Sequence, residues 1–205
     1  MGKIFQVKHE KYWNLLWSGL TVVLALDAIQ TAIEYGEIDT FFYFLIHLVI
    51  AVLFLTRHRP KTFSDRPAAY LVAVLSTNYF FLYETTSLEA TRWGPVGMAV
   101  TVAGSVVCLL SVLSLGKCFG VLPIYRGLQF TRMYRFIRHP IYASYVVMDG
   151  GLLLANFSIW NVFVLSTGIY LFLVRIQYEE QLLSQNRDYR DYQKRTPFKL
   201  IPGLL

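Results

Sequence analysis

Long apolar runs alternate with short polar connections along this chain. Six runs contain almost no charged side chain, and each is roughly 16 to 22 residues long, about what a helix needs to cross the ~30 Å hydrocarbon core of a membrane. We predict helices over residues 12–33, 41–56, 68–83, 95–115, 141–156 and 159–176. The polar stretch 177–194 predicts one further helix, lying against the membrane surface.

The composition supports a membrane protein. Of the 205 residues, 55% are hydrophobic and 16% are charged, whereas about a quarter of the residues in soluble domains are charged. We therefore expect an all-α, polytopic integral membrane protein of about six (five to six) transmembrane helices in the inner or plasma membrane. It forms a single membrane domain, 1–205, in which 1–94 has no assigned role and 95–205 forms the candidate core.

The basic residues are distributed unevenly between the connections. Eighteen of the 19 lysines and arginines fall in the N-terminal segment, the second and fourth connections and the C-terminal tail, and only Arg92 falls on the other side. Basic connections stay cytoplasmic, so both termini and the C-terminal region are predicted to be cytosolic. The net charge of +6 is then explained by membrane topology and contact with membrane lipids, without nucleic acid.

Two carboxylates lie inside predicted spans, where a charge is costly and needs a reason. Asp27 falls in the first span and Asp149 midway along the fifth. Asp149 either lines a polar cavity or bonds a neighbouring helix. The glycines that follow it, Gly150 and Gly151, suit close packing of two helices.

The two cysteines, Cys108 and Cys118, belong to no CxxC or Cys/His pattern. We expect neither a disulfide framework nor a metal site. Both are interpreted as small buried side chains.

Chemically versatile side chains concentrate at the base of the last predicted hairpin, where residues 134–142 should face residues 175–180. The carboxylates of Glu179 and Glu180 can accept hydrogen bonds from ribose hydroxyls or an ammonium group. Arg138 and His139 can bind a carboxylate, and aromatic faces can hold a sulfonium. S-adenosylmethionine combines all these groups. The alternative is structural: the arginines anchor the membrane surface, and Arg175 and Glu179 form an ordinary helix pair.

The same residues carry a resemblance. Tyr134-Arg135, the sequence RHPIY at 138–142, EEQLL at 179–183 and YRDY at 189–192 resemble the isoprenylcysteine carboxyl methyltransferase family, in particular its bacterial members. The related phospholipid N-methyltransferases share the pattern. The resemblance covers about residues 115–205, whereas the first three predicted spans contain no motif of the family.

The resemblance implies a site for S-adenosylmethionine at the cytosolic face and a lipophilic acceptor, a small molecule or lipid, that enters from the bilayer. The implied cofactor-binding residues are Tyr134, Arg138, His139, Pro140, Tyr142, Glu179, Glu180 and Tyr189. Arg175 is implied as the catalytic residue that orients a carboxylate acceptor. For an amine or thiol acceptor, Glu180 or His139 is the candidate base.

The chain departs from the family at several places. Ser144 stands where the family often has glycine, Arg132-Met133 where many members have Gly-Pro, and the segment after the glutamates is shortened. These departures leave the acceptor open. The alternatives are a phospholipid or thiol methyltransferase, a membrane NADPH-dependent reductase of the sterol-reductase type, and a membrane protein that keeps the pocket without catalysing a reaction.

Overall fold

Helices dominate the computed structural model, which describes residues 10–36, 38–84 and 93–203. Arg92 lies outside the described residues. The helices are α1 (Glu10–Tyr35), α2 (Ile38–Thr56), α3 (Pro67–Asn78), α4 (Gly94–Leu115), α5 (Pro140–Ala155), α6 (Ile159–Leu183) and α7 (Arg187–Arg195). Short 3-10 turns occupy Tyr79–Leu82, Gly116–Cys118 and Arg132–Arg135.

Each of the six predicted apolar runs forms a helix close to its predicted position. Four helices are long and apolar enough to cross a membrane: Lys11–Glu34, Ile38–Thr56, Gly94–Cys118 and Ile159–Leu183. The other two, Pro67–Leu82 and Pro140–Ala155, are apolar but shorter. The described residues therefore give an all-α integral membrane protein with four candidate spans, and the count of six stays a prediction.

The prediction of one polar helix over 177–194 is wrong. Helix α6 continues without a break to Leu183, and α7 begins only at Arg187. The charge of Arg175 does not end α6, because polar groups from other segments surround it in the fold. Asn186 caps the start of α7, since its side chain accepts a hydrogen bond of 2.8 Å from the backbone N–H of Asp188.

Two of the basic connections are joined by a small antiparallel ribbon that the sequence analysis did not predict. Strand β1 (Thr62–Phe63) pairs with β2 (Ile124–Tyr125). Nearby, Arg126 donates a 2.6 Å hydrogen bond to the carbonyl of His58. The connections after α2 and α4 therefore lie at the same end of the helices.

The helices pack in the neighbour order α1, α2, α4, α5, α6, α3. Buried Phe54 of α2 stacks on Trp17 of α1 at 6.1 Å and meets Phe119, after α4, edge-on at 5.7 Å. The two ends of the row both line one cavity, with Leu20 from α1 and Thr77 from α3. The row is therefore curved around that cavity.

Glycine allows a close contact between α4 and α5. A Cβ added at Gly151 would lie 2.5 Å from the backbone nitrogen of Thr101 and 2.6 Å from the carbonyl oxygen of Gly97. At Gly150 the same addition meets nothing within 4 Å. The predicted close-packing role of the glycine pair therefore belongs to Gly151 alone.

We predict that Gly151→Ala destabilises the protein whereas Gly150→Ala, its matched control, does not. The new methyl group at position 151 has no room, and overpacking of this kind costs about 1–3 kcal/mol. For a chain of this size that lowers the melting temperature by roughly 5 °C, measurable by thermal unfolding in detergent. Equal melting temperatures for the two variants would contradict the close contact.

Candidate functional site

The site is built around the first turn of α5. Pro140 occupies the first helical turn, where its missing N–H costs nothing. The two preceding N–H groups pair with the segment that follows α7: Arg138 donates to the carbonyl of Phe198 at 3.0 Å, and His139 to that of Lys199 at 2.9 Å. The start of α5 is thus fixed by the C-terminal segment.

The guanidinium of Arg138 is buried and donates three hydrogen bonds. Its Nε donates to Glu180 Oε1 at 2.6 Å, and its Nη1 donates to the carbonyls of Thr196 and Pro197 at 2.7 and 2.6 Å. The residue is only 7% exposed. One side chain therefore connects the start of α5, the end of α6 and the C-terminal segment.

Glu180 also holds His139. The imidazole Nε2 lies 3.2 Å from Glu180 Oε1, the oxygen that binds Arg138. The His139 ring stacks on Tyr142 with a centroid distance of 5.7 Å and an angle of 14°. The orientation of the imidazole is therefore set by a carboxylate on one side and an aromatic ring on the other.

Glu179 faces a second arginine. Its Oε1 accepts hydrogen bonds from the Tyr142 hydroxyl and, at 3.0 Å, from Nε of Arg175. Its Oε2 lies 3.9 Å from Nδ1 of His139, too far for a hydrogen bond. This second oxygen can therefore accept a hydrogen bond from a ligand.

Arg175 is anchored by α3. Its Nη1 donates to Ser76 Oγ at 3.0 Å and to Thr77 Oγ1 at 3.1 Å, and its Nη2 donates to the carbonyl of Val121. The guanidinium also lies over the Tyr142 ring, 5.2 Å from its centroid. The predicted i, i+4 pair with Glu179 is therefore one part of a larger network.

Three further tyrosines close the site from the side of α7. Tyr134, Tyr189 and Tyr192 are all buried, and Tyr192 donates a hydrogen bond to the carbonyl of Tyr134. Burial raises the pKa of all three hydroxyls. They are therefore neutral at physiological pH and act as hydrogen-bond donors and aromatic surfaces.

A cavity of about 1420 Å³ connects these groups with the space between the helices. Among its lining residues are seven that the sequence analysis selected: Tyr134, Arg138, His139, Tyr142, Arg175, Glu179 and Tyr189. The other two predicted site residues, Pro140 and Glu180, lie behind the residues that line the cavity. Pro140 is fully buried, and Glu180 is bonded to Arg138 and His139, so its geometry is that of a positioning residue.

No motif in the sequence points to the groups that hold Arg175 and Asp149. Ser76 and Thr77 come from a helix without any motif of the family, and Tyr79 donates a hydrogen bond to Asp149 Oδ2. The only local signal was the polar run Ser76-Thr77-Asn78 at the end of an apolar stretch. Asp149 therefore fulfils both alternatives predicted for it: it bonds the turn that follows α3, and it lines the cavity.

Residues 97–185 match the model of the isoprenylcysteine carboxyl methyltransferase (ICMT) family. These residues run from α4 to just beyond α6, and over them the chain is similar to that family. The similarity points to a membrane methyltransferase. The match confirms the resemblance drawn from the sequence, whereas assignment to a bacterial branch stays a prediction. A comparison with curated proteins finds no match to this chain.

We predict that Arg138→Gln destabilises the fold strongly, because it leaves the Glu180 carboxylate without its buried cation. Removal of one partner from a buried ion pair costs about 3–5 kcal/mol. Thermal unfolding of the two single variants, Arg138→Gln and Glu180→Gln, and of the double variant gives the coupling free energy between the two side chains. The double variant should lose less stability than the sum of the two single losses, and simple additivity would argue against the pair.

Proposed function

We propose that the protein is an S-adenosylmethionine-dependent methyltransferase that transfers a methyl group to a lipophilic acceptor. The observation that carries the proposal is the cavity wall formed by Tyr134, His139, Tyr142 and Glu179. It combines aromatic faces, an imidazole and a carboxylate oxygen available to a ligand. These groups suit the sulfonium, ribose hydroxyls and ammonium of S-adenosylmethionine.

The charges of the site favour this cofactor over a dinucleotide. Arg138 and Arg175 are each engaged by a glutamate and by backbone carbonyls, so neither is free to neutralise several phosphates. The phosphates of NADPH would also lie beside Glu179 and Glu180. A reductase of the sterol-reductase type is therefore disfavoured.

S-adenosylmethionine supplies, when bound, an electrophilic methyl group on a sulfonium. Glu179 and the ring of Tyr142 orient the cofactor side of the cavity, while the buried tyrosines exclude water. Arg175 keeps one N–H of Nη2 for an acceptor carboxylate, which is already ionised and needs no base. For an amine or thiol acceptor, His139 is the better candidate base, because Glu180 does not line the cavity.

The acceptor enters from the bilayer between α3 and the pair α1–α2. Supporting this route, α1 and α3 stand at the two ends of the helix row. Leu20 of α1, and Phe80 and Phe81 of the turn after α3, line the cavity and are also exposed on the outer surface. An apolar opening at this depth admits a lipid or another lipophilic molecule.

We also propose that both termini and the cofactor side of the cavity are cytosolic. The proposal is supported by the ribbon between the connections after α2 and α4 and by a 3.4 Å hydrogen bond from Asn186 to the Tyr125 hydroxyl. Three of the basic segments therefore meet at one end of the helices, as the positive-inside rule requires of cytoplasmic segments.

The first test is a calorimetric titration of the detergent-purified protein with S-adenosylmethionine, with NADPH titrated in parallel. We expect saturable binding of S-adenosylmethionine alone. Binding of NADPH alone would reassign the protein as a reductase. Binding of neither ligand would contradict the proposed function.

Substitutions then test the site. His139→Ala and Glu180→Gln should each weaken S-adenosylmethionine binding by about tenfold or more, because the first removes the imidazole and the second releases it from its fixed orientation. Lys194→Ala is the control, since that side chain is exposed on α7. Equal effects of all three substitutions on the dissociation constant would contradict the assignment.

A further inference from the structure

The cavity contains a second polar region, separate from the two arginines. It is formed by Asp39 and Tyr43 of α2, Tyr79 and Tyr83 at and after the end of α3, and Asp149 of α5, all of which line the cavity. We call these five residues the tyrosine–aspartate cluster. Nothing in the proposed methyl transfer uses them.

The cluster lies one aromatic layer away from the cofactor side. Asp149 follows Tyr142 by seven residues on α5, which places the two about 10 Å apart along the helix axis. Between them, Phe172 stacks on Tyr142 at 5.3 Å and meets Tyr79 edge-on at 5.5 Å. A ligand of moderate length that passes this layer reaches both regions.

The members of the cluster lie close enough to interact electrostatically. Tyr79 donates a hydrogen bond to Asp149. The Tyr43 hydroxyl is within electrostatic range of both Asp39 and Asp149, and Tyr83 is within range of Asp149 and Tyr43. Two carboxylates and three hydroxyls thus converge on one part of the cavity.

The described arginines and lysines that line the cavity are Arg126, Arg138 and Arg175. Arg126 and Arg138 lie at the end that carries the ribbon and the start of α5, whereas Arg175 lies deeper, bonded to Glu179 and to the last turn of α3. Among the described residues no ion pair includes Asp39 or Asp149, so the cluster keeps two carboxylates without an arginine or lysine partner.

Two oxygens of the cluster lack a partner although they are shielded from solvent. Within the described structure, Oδ1 of Asp39 and the hydroxyl of Tyr83 are buried and make no hydrogen bond. Buried polar atoms in native proteins almost always find a partner. In a cavity wall such atoms indicate a polar group that enters from the cavity.

We propose that the tyrosine–aspartate cluster binds an amine or quaternary ammonium group of the methyl acceptor, an inference that rests on the proposed function. The two carboxylates neutralise the cation, and the tyrosine rings offer their faces to it. Apolar walls such as Leu24 and Ile50 hold the rest of the molecule. The acceptor is thus a lipophilic cation whose charged group lies one aromatic layer away from the cofactor side.

The test compares decyltrimethylammonium with decanol as probes of equal chain length. Each is titrated by calorimetry into the protein in a nonionic detergent, in the presence of saturating S-adenosylmethionine. We expect the cation to bind at least about tenfold more tightly than the alcohol, as a charge held by buried carboxylates should. Equal affinity for the two probes would overturn the proposal.

Substitutions test whether the tyrosine–aspartate cluster causes the preference for the cationic probe. Asp149→Asn and Asp39→Asn should each reduce it several-fold, whereas Asp191→Asn, an exposed carboxylate on α7, should leave it unchanged. Asp39→Asn keeps the test informative if Asp149→Asn does not fold, because Asp39 Oδ1 has no partner to lose. A preference that survives both cluster substitutions would overturn the proposal.

The same titrations separate this inference from the proposed function. Asp149→Asn should bind S-adenosylmethionine as the unmodified protein does, since Asp149 lies an aromatic layer away. If the unmodified protein binds S-adenosylmethionine but does not distinguish the two probes, the cation site alone is wrong. If it fails to bind S-adenosylmethionine, the proposed function is wrong, and so is the acceptor role of the cluster.

Discussion

The buried ion pair between Arg138 and Glu180 is the interaction on which the rest of the site depends. Removing two charges from water costs several kcal/mol for each ion, and attraction alone rarely repays that cost. Here the guanidinium also donates to two backbone carbonyls, and the carboxylate also holds His139. The pair therefore joins three segments, and the positions of the imidazole and of the Tyr142 ring follow from it.

A second network fixes the position of Arg175. Arg175 belongs to the segment that matches the family, but its partners Ser76 and Thr77 belong to α3, outside that segment. The two networks thus differ in their relation to the family, because α3 lies outside the matching segment. A change in α3 can therefore shift Arg175 while Arg138, His139 and Glu180 keep their contacts.

Local sequence information was sufficient for the helices and for most of the predicted side chains that meet at the cavity. Apolar runs locate helices because a membrane leaves few alternatives, and a short hairpin brings 134–142 to 175–180 whatever the remaining helices do. The partners of Arg175 and Asp149 depend on where α3 packs, which no local pattern fixes. The wrong prediction of one polar helix over 177–194 has the same origin. Residues far away in the sequence bind the charge of Arg175, so α6 continues past it to Leu183. The two-residue ribbon is too short to leave a signal in the sequence.

The backbone pairing of Arg138 and His139 with Phe198 and Lys199 has a consequence for biogenesis. Residues 196–199 are synthesised after α5 and α6, and until they are in place the first turn of α5 lacks its carbonyl partners and the guanidinium of Arg138 lacks two of its three acceptors. This wall of the cavity therefore takes its final form later than the helices that carry it.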